Sequence, residues 1–256
     1  MMSKIKGEIR RSTDADMKEI EAWLLDQKAR MVDGTFHCNW SLTIGAHDRG
    51  DLIVFVDYKS NEVVAYLWGG ITGIDIVEVR EDKRGQGIGK KLVNQRISFA
   101  RKKNQNIFLI ECKPWESISF WEKMGFTMVE SSSSNKKYAY FIIKRKHKLP
   151  LNGKLINLEI SIYPEEKMWN SSAHSLRTEK PQSVITDDGK IHLEERISVP
   201  GRSLCNNKDL VVEIKIESDT LYCGKANNPK ADSLGIKCCT NGYYMDYIIT
   251  KKSNQL

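Results

Sequence analysis

Residues Arg84 to Lys90, RGQGIGK, place three glycines at alternate positions between an apolar, strand-like run and an amphipathic run. Glycine at 85, 87 and 89 costs conformational entropy and strips side chains from the turn that starts a helix. Such a turn presents backbone N–H groups and the positive end of a helix dipole, which suits an anion, above all a pyrophosphate. Arg84, Lys90 and Lys91 add positive charge around it. The spacing is not that of the common phosphate loops. No G-x-x-x-x-G-K-[ST] is present, and GQGIGK does not fit G-x-G-x-x-G. The six cysteines, Cys38, Cys112, Cys205, Cys223, Cys238 and Cys239, contain no C-x-x-C pair. Their spacing does not suit a common zinc site, so no metal is expected. A disulfide framework is not expected either in a chain this long without an export signal.

The elements around the turn follow from periodicity. Gly7 to Arg11 reads as a strand, and residues 12–29 as a helix capped by Thr13 or Asp14, with Met17, Ile20, Trp23 and Leu24 on one face. Residues 30–50 are ambiguous between helix and loop. DLIVFVDY and EVVAYLWGG form a hairpin across KSN, and GIDIVEV, residues 73–79, is one further strand. After the turn, Leu92, Val93, Ile97 and Ala100 mark a helix that ends in Arg101, Lys102 and Lys103. IFLIEC is a strand, SISFWEKMGF a short helix stopped at Gly125, and TMVES with YAYFIIK a hairpin. A strand–turn–helix–strand unit implies parallel pairing and the hairpins antiparallel pairing, so residues 1–148 are expected to form a mixed α/β (α+β) domain.

Residues 149–256 differ in style. KLINLEISIY and DLVVEIKIE alternate strictly, and Asp188-Gly189 and Asn241-Gly242 mark hairpins. No helical period is visible. The expectation is a smaller all-β domain, a sandwich, that binds a partner, shapes a substrate cleft, mediates self-association as a homodimer or serves as a passive stabilising appendage.

The 256 residues carry a net charge of +7, and the excess sits in residues 1–146, with 25 Lys and Arg against 19 Asp and Glu. That balance suits an anionic ligand, while no basic-aromatic repeat argues for nucleic acid. Apolar runs such as LIVFV are too short to span a bilayer. The charged start MMSKIKGEIRR lacks an apolar signal core, so a cytoplasmic location is expected.

RGQGIG matches the R/Q-x-x-G-x-G/A motif of the GNAT superfamily of N-acetyltransferases. The preceding Val77-Glu78-Val79 resembles that family's L-x-V strand end, and FWEKMGF, Phe120 to Phe126, its LYEKLGF element. The resemblance covers a little over half the chain and does not reach residues 149–256. It implies an acetyl-CoA-dependent N-acetyltransferase acting on an amine by direct attack. Backbone groups at Arg84, Gly85, Gln86, Gly87, Ile88, Gly89 and Lys90 would cradle the pyrophosphate. Val79 would pair with the pantetheine, and the Val77 N–H would face the thioester carbonyl as an oxyanion donor.

The resemblance also implies a carboxylate base, for which Asp75 and Glu111 are the candidates. Alternation puts Glu78 on the face opposite Val77 and Val79. The family's acidic tyrosine is replaced by Trp121, whose indole N–H cannot protonate a thiolate, and a nearby asparagine by Pro114. Tyr138 and Tyr140 are alternative hydroxyls. The departure keeps a second reading open, a CoA-binding regulatory or interaction module with a β recognition domain.

Overall fold

The computed structural model describes residues 5–129 and 136–250. The chain divides into two compact units: among the described residues the first holds 5–128 and 136–141, and the second holds Val129 and 142–250.

The first unit opens with β1 (Gly7–Arg11) and α1 (Asp14–Ala29). Thr13 caps α1 in a reciprocal capping box with Asp16, and Arg10 holds the same carboxylate. The ambiguous segment contains α2 (Trp40–Asp48), on which Thr43 Oγ1 accepts from Trp68 Nε1 at 3.1 Å. β2 (Ile53–Asp57) and β3 (Glu62–Trp68) form the expected hairpin.

The run GIDIVEV, expected as one strand, is two: β4 (Gly73–Ile74) and β5 (Ile76–Val79), broken at Asp75. The two pieces pair with different partners, a tertiary fact that the local sequence around Asp75 does not carry. β4 runs parallel to β6 (Ile107–Glu111), with Ile74 opposite Ile110. β5 instead pairs antiparallel with β3. The unit therefore carries two sheets, ordered β1-β2-β3-β5 and β4-β6-β8-β7, with β7 at Thr127–Met128 and β8 at Tyr138–Ile142. They diverge as a fork beyond Ile74 and Ile110.

The approach at the base of the fork is tight, because a Cβ on Gly73 would lie 2.5 Å from the Leu109 carbonyl oxygen. Gly73→Ala is thus expected to lower stability by about 1–3 kcal/mol, read as a shift in denaturant midpoint. α1 covers one face of the first sheet, burying Ile20 and Leu24 against Val54, Tyr66, Trp68 and Ile76. α3 (Ile88–Lys102) packs on β2, β3 and β5 through its buried Leu92, Val93 and Ile97. α4 (Ile118–Lys123) follows β6.

The second unit contains β9 (Lys154–Ile156), β10 (Leu158–Tyr163), β11 (Arg177–Glu179), β12 (Ser183–Ile185), β13 (Lys190–Pro200), β14 (Val211–Ile216), β15 (Asp219–Lys225), β16 (Lys237–Cys239) and β17 (Gly242–Ile249). They form two sheets, β11-β10-β14-β15 and β16-β17-β13-β12-β9. The alternating residues Ile160, Ile162, Val212 and Ile214 of the first share one buried cluster with Ile191, Leu193, Val199 and Met245 of the second.

The unit is not purely β. Pro229–Ser233 form a helix, α5, started by Pro229 and by Asn228 accepting from the Lys230 N–H, and five residues are too few to show a period. All six cysteines are free thiols. Among the described residues no helix is long and apolar enough to cross a membrane, and no group of three or more His, Cys, Asp or Glu is placed to hold a metal ion.

Candidate active site

The fork encloses a cavity of about 820 Å³, within the range of small-ligand sites. Along one wall β5 is an edge strand. The Arg80 N–H bonds the Val64 carbonyl, so ladder alternation turns the N–H and C=O of Val77 and Val79 away from β3, toward the open side. The Val79 carbonyl accepts from Arg84 Nε at 3.1 Å, and Arg84 Nη1 reaches the Asp33 carbonyl. A ligand that hydrogen-bonds the Val79 carbonyl would share that oxygen with the guanidinium.

The glycine turn lies at the mouth of the cavity. Gly85 and Gly87 have φ of +76° and +80°, in the left-handed region that favours glycine, and nothing lies within 4 Å of a Cβ built on either. Gly87 is the N-cap of α3 and offers no side-chain cap, so the first-turn N–H groups of Ile88, Gly89 and Lys90 face the opening without an intrahelical partner. Gly89 sits against Val79 and Phe120, where a Cβ would make ordinary contact.

Val77, Val79, Arg84, Gly85, Gly87, Ile88, Gly89 and Lys90 all line the cavity. Gln86 is not among the lining residues; its amide donates back to the Asp82 carbonyl at 3.4 Å. Lys91 points elsewhere, donating to the Ile5 carbonyl at 2.6 Å and lying over the Phe55 ring.

Five acidic residues line the cavity, Asp33, Asp75, Glu78, Glu111 and Glu116. Asp75 and Glu111 each follow the last residue of the β4–β6 pairing, so both stand where the sheets part. Burial raises the Asp75 carboxyl, opposed by Arg96 and Arg49. Glu111 is half-buried and bridges to Lys136 at 3.2 Å. Glu78 does face away from Val77 and Val79, but α1 covers that side. The carboxylate is 2% exposed and accepts from Tyr66 Oη (2.9 Å), the Phe36 N–H (3.1 Å) and Gln27 Nε2 (3.4 Å).

Burial lifts Glu78 to about 7 against the pull of those donors, and burial beside Glu78 pushes the Tyr66 phenol well up. A carboxyl raised in the folded state stabilises the fold below its unfolded value, and that contribution is lost as pH rises through about 7. Glu78→Gln is expected to flatten the fall in stability between about pH 5 and pH 8, measured by chemical denaturation across that range. An acid between two valines, Val77 and Val79, is the sequence signal for this group.

The sequence model of the acetyltransferase (GNAT) family matches residues 14–126. This part of the chain belongs to the GNAT superfamily. Solved structures similar to the chain include a GNAT-family acetyltransferase from Staphylococcus aureus, at 13% identity, covering 54% of this chain and 99% of that one with a TM-score of 0.44. Another, from Listeria monocytogenes, shows 10% identity, 56% and 98% coverage and a TM-score of 0.44. The yncA protein of Salmonella typhimurium, solved with its cofactor acetyl-CoA, shows 16% identity, 57% and 98% coverage and a TM-score of 0.43. No curated protein matches the chain in sequence.

The GNAT motif's tyrosine position holds Trp121, 4% exposed, with its ring centroid 4.9 Å from Phe120 and 5.1 Å from Phe126. Tyr138 and Tyr140 on β8 do not line the cavity.

Proposed function

We propose that this GNAT domain transfers an acetyl group from acetyl-CoA to an amine by direct attack. The observation that carries the reading is the fork at Asp75, which frees one edge of β5 and sets a glycine turn of unpaired N–H groups at its mouth. The turn, with Arg84, Gly85, Gln86, Gly87, Ile88, Gly89 and Lys90, suits a pyrophosphate. The free edge at Val77 and Val79 suits an extended amide-bearing arm, and the Val77 N–H a developing oxyanion. Asp75 and Glu111 attract the ammonium and accept its proton, directly or through water. Of the two, Asp75 is the better base, because burial raises it while Glu111 is held by Lys136. Glu78 positions residues 30–39 over the cavity through the Phe36 N–H.

The test is thiol release from acetyl-CoA across a panel of amines, with the acetylated amine identified by mass. Release that no amine accelerates would leave the second reading, a CoA-binding module, which Trp121 in place of a hydroxyl favours. The work is assigned to the cytoplasm, which cell fractionation checks.

The second unit, read as a two-sheet sandwich of residues 149–256, is assigned to partner recognition or self-association. A fragment of residues 1–148 is expected to keep full CoA affinity while losing acceptor turnover or assembly, measured by calorimetry, turnover and light scattering. Unaltered turnover and assembly would exclude that role.

A further inference from the structure

Ser117 occupies the N-cap position of α4, yet its hydroxyl caps nothing. The oxygen is shielded from solvent and has no hydrogen-bond partner. An unpaired buried hydroxyl costs about 1–3 kcal/mol, so its place needs an explanation. Ser117 lines the fork cavity, and among the described lining residues it is the only one with a hydroxyl, thiol or imidazole side chain. Its backbone is already helical, at φ −71° and ψ −15°, so it stands one helical turn before Trp121 on the same face of α4. The ammonium-bearing neighbours Lys113 and Lys123 are exposed at the rim, and Lys83 is held by Asp57 at 3.0 Å.

We propose that Ser117 supplies the hydrogen bond to the departing CoA sulfur that the tyrosine position no longer can, an inference that rests on the acetyl-transfer reading above. When the acyl carbon–nitrogen bond has formed and the carbon–sulfur bond breaks, its electron pair passes to sulfur. Ser117 Oγ–H donates to that sulfur without giving up its proton, since an alcohol is too weak an acid to transfer it. The amine's proton goes to the carboxylates at the fork, and the thiolate is protonated from solvent on release. A donor aimed at the thiolate favours the charged form, and so lowers the acidity constant's exponent for the bound thiol.

The test needs no acceptor. CoA itself is bound to the full chain, and ionisation of its thiol is followed by thiolate ultraviolet absorbance against pH. In the wild-type chain the bound thiol is expected to titrate below free CoA. In Ser117→Ala it should titrate about one pH unit higher than in wild type, a tenfold change, with CoA affinity within about twofold. Ser117→Thr should keep the wild-type value, and Trp121→Tyr in the Ser117→Ala background should restore it. Ser117→Ala should also leave the denaturation midpoint unchanged or higher, because it removes an unpaired polar group. A structural hydroxyl would instead lower the midpoint without moving the thiol. CoA that binds with the same thiol titration in wild type and Ser117→Ala overturns the proposal while leaving the acetyl-transfer reading intact. A chain that binds no CoA overturns both.

Discussion

Gly87→Glu is expected to weaken acetyl-CoA binding severely while the fold survives. Gly87 has φ of +80°, and a Cβ there meets nothing within 4 Å, so the new side chain has room but enters the space faced by the first-turn N–H groups of α3. The left-handed backbone costs a non-glycine residue about 1–2 kcal/mol, which a folded domain withstands. The carboxylate then competes for the same donors and repels a phosphate directly. Calorimetry should show affinity reduced by about 100-fold or more, on the order of 3 kcal/mol. Gly87→Asn separates charge from strain. Asparagine tolerates the left-handed region, so this variant should stay within about tenfold of wild type. Equal losses in both would mean that backbone geometry, not anion binding, is what the glycine serves.

Asp75→Asn is expected to lower kcat by about 100-fold or more, the range of a lost general base, with little change in KM for acetyl-CoA. Because burial raises the Asp75 carboxyl, the acid limb of the wild-type kcat/KM profile should lie above that of an unburied aspartate, and the Asn variant should lose that limb. Glu111→Gln should cost less, since Lys136 already draws on that carboxylate. The reverse ranking would move the base to Glu111.

Much of this site was legible in the sequence. The glycine turn, the Thr13 cap, the hairpins and the order of elements all follow from local rules that the structure obeys. The break at Asp75 did not, because a single acid between the β-branched Ile74 and Ile76 is compatible with one alternating strand, and only pairing with two different strands splits it. α2 stayed ambiguous because Gly45 and the β-branched Thr43 and Ile44 weaken its helical signal, which burial of Thr43 and Ala46 overrides. For Glu78, alternation gave the right face; that α1 covers this face is a tertiary fact. Ser117 reads in WESISF as ordinary helix-start material. Only the missing cap bond and the cavity beside it set it apart.

The central claim is that acetyl-CoA lies along the free edge of β5 with its phosphates at the glycine turn. Amide hydrogen exchange of the full chain, with and without acetyl-CoA, tests it most directly. The account predicts slowed exchange at Val77 and Val79 and at the amides from Gly85 to Lys90, with β1 and the second unit unchanged. Exchange left unaltered at these amides under saturating acetyl-CoA, or protection confined to another surface, would contradict it.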